Sequence, residues 1–196
     1  MKIAIISDIH GNLNNLVLFF NQAKEHNVWK IIFLWDFVNN WTAKALALFY
    51  IPTFAIWWNN DWDKVAITKT SLSENSNLEV GFDVFDTLEI EWRKLFLTHY
   101  AILAKPMAKS WDFDAVFYGH DHQCFMWKIW DCLILNPWEI SANKTQKSTF
   151  AIYNTTDNSA EIIELTDWII STKDDIIDEY KSKNNIVYGV AKSYKV

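Results

Sequence analysis

The chain has 196 residues, 51% hydrophobic and 21% charged, with a formal net charge of -6. That is enough apolar material for one sizeable core, and it excludes a wholly disordered chain. The acidic balance and the single arginine, Arg93, argue against a phosphate-tracking nucleic-acid surface.

Residues 2–7 are an apolar, Ile-rich run that stops at Asp8-Ile9-His10-Gly11-Asn12. A short apolar run of this kind predicts a central parallel strand. Asp8 and His10 lie two apart just past its end, so in extended backbone they point the same way. Ligand crevices of open α/β sheets lie outside the carboxyl ends of the strands. Asn12 then caps a predicted helix through Leu13, Leu16, Val17, Phe20 and Ala23, ending near His26. Residues 30–34 read as a second strand stopping at Trp35-Asp36, residues 42–49 as a short helix, and residues 53–57 as a third strand stopping at Trp58-Asn59-Asn60-Asp61. This alternation implies a parallel sheet.

The character then changes. Residues 71–77 read as a polar loop, residues 82–90 and 94–98 as strands joined near Glu91-Trp92, and His99 closes the second. Residues 101–109 suggest a short helix broken by Pro106, and residues 115–118 a strand ending in Gly119-His120-Asp121-His122. Runs at 124–129, 132–135, 149–154 and 160–165 read as antiparallel hairpins. Residues 174–183 predict a polar amphipathic helix, and 186–196 an edge strand or a tail. The expected organisation is one domain over residues 1–165 with a C-terminal helical extension over 166–196. That extension either caps the domain or mediates self-association as a homo-oligomer.

No charged leader precedes an apolar segment, and no apolar run reaches membrane-spanning length, so a soluble, cytoplasmic protein with no membrane partner is expected. Cys124 and Cys132 are too few for a disulfide framework. They could face each other across a hairpin, but free thiols are the expectation.

Asp8, His10, Asp36, Asn59, His99, His120 and His122 follow five different strands. Singly they have ordinary readings: a cap, a turn, a semi-buried histidine. Jointly they form a mixed N/O ligand set suited to Mn, Fe, Zn, Ni or Co. Seven ligands exceed one tetrahedral site, so two metals are implied, and paired metals typically clamp a phosphoryl group.

The series Asp8-x-His10-Gly11-Asn12, Asp36, Asn59-x-Asp61, His99 and Gly119-His120-x-His122 resembles the calcineurin-like metallophosphoesterase superfamily, in its small single-domain phosphodiesterase branch. The resemblance implies a four-layer αββα sandwich of two mixed sheets. It also implies one metal on Asp8, His10, Asp36 and His122, a second on Asp36, Asn59, His99 and His120, and a metal-bridging hydroxide that attacks phosphorus. Manganese is the metal it favours, with Ni, Fe, Zn and Mg as alternatives, and a small phosphoester is the expected substrate. Asn60 stands where many relatives have a histidine. It cannot supply a proton, so good leaving groups should react best. The alternatives are a phosphomonoesterase acting on a nucleotide, sugar or phosphoprotein, and a non-catalytic interaction scaffold of the same fold.

There are 12 tryptophans and only 4 glycines, whereas glycine is ordinarily about 7% of residues. Trp35 and Trp58 stand where the family has glycine, and Trp62, Trp92, Trp111, Trp130 and Trp138 fall at expected turns. An indole beside Asp36 should crowd the metals. The expectation is that these seven positions are glycine in the native protein. They would arise from UGA codons, which some bacteria read as glycine and another genetic code reads as tryptophan.

Overall fold

Alternate residues of β1 (Lys2–Ile6) serve two different cores: Ile3 and Ile5 pack on one side, Ala4 and Ile6 on the other, and all four are fully buried. A strand apolar on both faces must lie inside a layered structure. The computed structural model, which describes residues 1–57 and 63–170, supplies those layers. The first sheet has the order β11-β10-β1-β2-β3-β4. In it β2 (Lys30–Phe33), β3 (Thr53–Ala55) and β4 (Leu78–Val80) run parallel to β1, while β10 (Thr149–Asn154) and β11 (Ser159–Glu164) add antiparallel edges. The second sheet, β5-β6-β7-β9-β8, is built from β5 (Phe85–Ile90), β6 (Arg93–Thr98), β7 (Ala115–Phe117), β8 (Phe125–Ile129) and β9 (Cys132–Asn136).

The outer face of the first sheet packs on three helices, α1 (Leu13–Glu25), α2 (Asn40–Leu48) and α3 (Lys64–Ser71), through Leu16, Phe19, Phe20, Leu46 and Ile67. Between the sheets lie Ile32, Leu34, Phe54, Leu95, Leu97, Phe117 and Leu135. The fourth layer is α4 (Ala101–Ala108), whose Ala104 and Ala108 cover Phe96, Val116 and Ile134. The αββα sandwich of two mixed sheets is therefore the architecture of this chain.

Several local expectations change. Helix α4 runs through Pro106 instead of breaking there; the proline removes one hydrogen bond, which a helix clamped on the sheet by two small alanines tolerates. Helix α3 and strand β4 were not legible, because Ile67 is the only buried residue of α3 and β4 is a three-residue edge. Cys124 and Cys132 do not face each other: Ile129 pairs with Cys132 and Phe125 with Asn136, which leaves Cys124 exposed beyond the hairpin and Cys132 buried. No helix among the described residues is long and apolar enough to cross a membrane. Residues 166–170 reach back to α1, where Asn12 and Asn15 both donate to the Ile169 carbonyl and Ile169 N–H donates to Asn15. The predicted helix at 174–183 and the edge strand or tail at 186–196 lie outside the described residues.

Candidate metal centre

The carboxyl ends of β1, β2, β6 and β7 converge, and each leaves its strand with a polar residue. Asp8 and His10 follow β1, Asp36 follows β2, His99 follows β6, and His120 and His122 follow β7. Asp8, His10, Asp36, His120 and His122 all have positive φ, between 47° and 75°. Asp, Asn and His tolerate this region better than most residues, and five such residues in three adjacent loops gather side chains that straight strand ends would spread apart. Asn59, Asn60 and Asp61 lie outside the described residues.

Two triads bring ligand atoms within 4.8 Å of one another: Asp8–His10–His122 and Asp8–Asp36–His99. In the first, Asp8 Oδ1 lies 3.6 Å from His10 Nε2 and 3.4 Å from His122 Nε2, and the two imidazole rings stack with centroids 5.4 Å apart. Asp36 Oδ2 lies 3.5 Å from His10 Nε2. His120 joins the second triad through its Nδ1, 3.1 Å from His99 Nε2.

The 3.4, 3.5 and 3.6 Å spacings around Asp8 Oδ1 and His10 Nε2 are long for hydrogen bonds. Asp8 Oδ1 and His10 Nε2 are buried with no hydrogen-bond partner among the described residues, an arrangement that costs free energy in an ordinary interior. It suits a cation, because ligands about 2.0–2.2 Å from a tetrahedral ion sit roughly 3.4 Å apart. The residues present therefore fit a divalent metal, and nitrogen and carboxylate donors are the chemistry that first-row ions prefer.

The surroundings orient the donors. Ser7 Oγ donates to Asp8 Oδ2 at 2.6 Å, and the His120 backbone N–H lies 3.4 Å from the same oxygen. His99 Nδ1 is 3.1 Å from the Leu34 carbonyl, so this nitrogen carries the proton and Nε2 turns inward. Burial pulls the His99 pKa down to about 4 and keeps the ring neutral. Burial pushes Asp8 up, but the nearby imidazoles of His10, His99 and His122 and the Ser7 hydroxyl outweigh it and hold its carboxyl below the usual range. Burial raises Asp36. For His10, burial acts downward but the Asp8 and Asp36 carboxylates raise it.

Gly119 makes this close approach possible. A Cβ there would lie 2.2 Å from Ser7 Oγ and 3.2 Å from Asp8 Oδ2. Trp35, in contrast, does not crowd the cluster as expected. Its indole is fully buried between the sheets, against the rings of Phe37 and Trp57. Sequence reasoning missed Glu139, a fully buried carboxylate whose Oε2 lies 3.0 Å from His122 Nδ1. The only available signal was an acidic residue in the Asn136-Pro137-Trp138-Glu139 turn, which resembles any solvated loop charge.

The sequence profile of the calcineurin-like phosphoesterase superfamily domain matches residues 1–158. The chain is 30% identical over 157 residues to phosphodiesterase MJ0936 of Methanocaldococcus jannaschii, covering 79% of this chain and 93% of that protein. Among solved structures, a novel archaeal phosphodiesterase superposes with a TM-score of 0.77 at 29% identity, covering 84% of this chain and all of that one. Yfce, a phosphoesterase from E. coli, shares the fold with a TM-score of 0.62 at 17% identity, covering 85% of this chain and all of its own. So does Vps29 of Entamoeba histolytica, in a structure described as complexed with Zn2+, with a TM-score of 0.57 at 12% identity over 84% of this chain and 99% of that one.

Proposed function

The chain belongs to the calcineurin-like phosphoesterase superfamily, and from that premise we propose that it hydrolyses phosphodiesters at a two-metal centre. The centre would be held by Asp8, His10, Asp36, Asn59, His99, His120 and His122. The observation that carries this reading is the pair of buried donors, Asp8 Oδ1 and His10 Nε2, with no hydrogen-bond partner among the described residues and ringed by Asp36, His99 and His122. The preference for diesters over monoesters rests on the likeness to the archaeal enzymes named phosphodiesterases. When bound, two divalent cations, manganese first among the candidates, supply a water of lowered pKa as nucleophile and neutralise charge on the transferring phosphoryl group.

The protein's own residues prepare that chemistry. Neutral His99 presents a lone pair without losing a proton first, and Asp8 stays ionised near neutral pH. Gly119 lets the β7 loop close over Asp8. Asn60 supplies no proton to the departing group, so diesters with acidic leaving groups should react fastest. One exposed and one buried free thiol suit a reducing cytoplasm.

The test is hydrolysis of bis-p-nitrophenyl phosphate and of p-nitrophenyl phosphate by metal-free protein, with and without Mn2+. Metal-dependent cleavage of the diester ahead of the monoester is the expected result. Monoester cleavage alone would make the protein a phosphomonoesterase. Silence with both, without metal uptake, would leave a scaffold of this fold.

A further inference from the structure

We propose that Glu139 is a positioning residue for His122, an inference that rests on reading the centre as a metal site. Glu139 lies past the end of β9 and is fully buried, yet its carboxylate is saturated with donors. Oε2 accepts from His122 Nδ1 at 3.0 Å and Ser141 Oγ at 2.6 Å. Oε1 accepts from the backbone N–H groups of Lys144 at 3.0 Å and Thr145 at 2.7 Å, and from Thr145 Oγ1 at 2.6 Å. Five donors explain how a carboxylate survives burial as an anion. An anion can only accept, so His122 Nδ1 must carry the ring proton, and Nε2, 3.4 Å from Asp8 Oδ1, presents its lone pair to the centre. Carboxylate–imidazole pairs of this kind fix the tautomer and orientation of a ligand and raise its basicity.

The proposal is tested on the full-length, metal-free protein with Glu139→Gln and Glu139→Ala. Mn2+ binding is measured by calorimetry and the His122 tautomer by 15N shifts. Both variants should bind Mn2+ about 10–100-fold more weakly than wild type, and Glu139→Gln should lose the fixed Nδ1–H tautomer while remaining folded. A merely structural role would lower the melting temperature and leave both readouts unchanged. Wild-type affinity in a folded Glu139→Gln would overturn the proposal. Absence of Mn2+ uptake by wild type itself would overturn the metal reading and this proposal together.

A separate observation carries a second inference: we infer that the native residue at positions 35, 111, 130 and 138 is glycine. Seven tryptophans stand at glycine-like places in the sequence, and five of these are described. Four of those five have positive φ: Trp35 at 123°, Trp111 at 69°, Trp130 at 53° and Trp138 at 79°. Trp92 is the exception, with Glu91 before it at 56°. None of the other described tryptophans, Trp29, Trp41, Trp57, Trp127 and Trp168, has positive φ. A bulky side chain is a real outlier there, and 123° lies well outside the left-handed region that Asn or Asp visits. Trp130 opens the two-residue β8–β9 hairpin loop with positive φ, as the glycine of a type II′ turn does. Trp35 and Trp138 also bury their indole N–H groups with no acceptor among the described residues.

Reading the gene's codons and the native protein's peptide masses tests this. UGA codons and glycine masses at 35, 111, 130 and 138 are expected, and tryptophan masses at 35 and 138 would overturn the inference. As a physical check, Trp111→Gly and Trp130→Gly, at two exposed indoles that stack on each other, should each raise the melting temperature by about 2–4 °C through release of backbone strain. A fall at both sites would count against it.

Discussion

The two halves of the centre are built to different standards. Around Asp8, His10 and His122, two of the three donors are tied from behind, Asp8 by Ser7 and His122 by Glu139, and the two imidazoles stack. Around Asp36 and His99, the His99 ring leans on the Leu34 carbonyl, and His120, which joins that triad through His99, is exposed. Among the described residues, the first half is preorganised by side-chain contacts behind Asp8 and His122, whereas the second carries an exposed residue, His120.

Breaking the shared element should have the largest effect. Asp8 belongs to both triads, so Asp8→Ala should lower kcat/KM at least about a thousandfold, the loss of several kcal/mol of charge stabilisation. Steady-state assays with added Mn2+ measure this. His120→Ala should cost less in metal affinity than His10→Ala if the first half is the tighter one; calorimetry with Mn2+ would show the ordering, and the reverse order would dissolve the comparison.

Crowding the hinge of the first half comes next. Gly119→Ala forces a Cβ against Ser7 and Asp8, and overpacking of this kind should destabilise by about 2 kcal/mol, a fall of roughly 4–8 °C in Tm. Saturating Mn2+, at a hundredfold excess over Kd, should raise the wild-type Tm by about 5–10 °C, and a chelator should reverse it.

The pH response sharpens the second half. His99 is held below its ordinary pKa, near 4, so the folded state prefers the neutral ring. Its contribution is fully present above about pH 6.5 and fades as pH falls toward 4, by up to about 3 kcal/mol. Urea midpoints of metal-free wild type and His99→Gln at pH 7 and pH 5 should differ in that direction, wild type losing more. The smallest expected effect is chemical: a thiol reagent should modify exposed Cys124 in the native protein and spare buried Cys132, whose thiol burial pushes up to about 11.

Much of this is legible in the sequence. The runs leading to Asp8, Asp36, His99 and Gly119-His120 have apolar centres, so the polar residues after each are a conspicuous stop, and the stops share one end of the sheets. Helix α1 was legible for the same reason, with Asn12 capping and Leu16, Phe20 and Ala23 at helical spacing. Helix α3 and strand β4 were not, because they bury too little to leave a periodic pattern.

The sequence by itself determined the layered fold and which polar residues follow the strand ends, because hydrophobic periodicity and strand-end punctuation are local signals. Only the tertiary structure decided how those donors meet. Burial of Glu139, the tautomer of His122, the closeness of Gly119 to Ser7, and the direction of the Trp35 indole each depend on residues brought together from distant parts of the chain. A carboxylate in a loop carries no mark of the imidazole 17 residues away that it will hold. That partnership exists only once β7 and β9 are paired side by side.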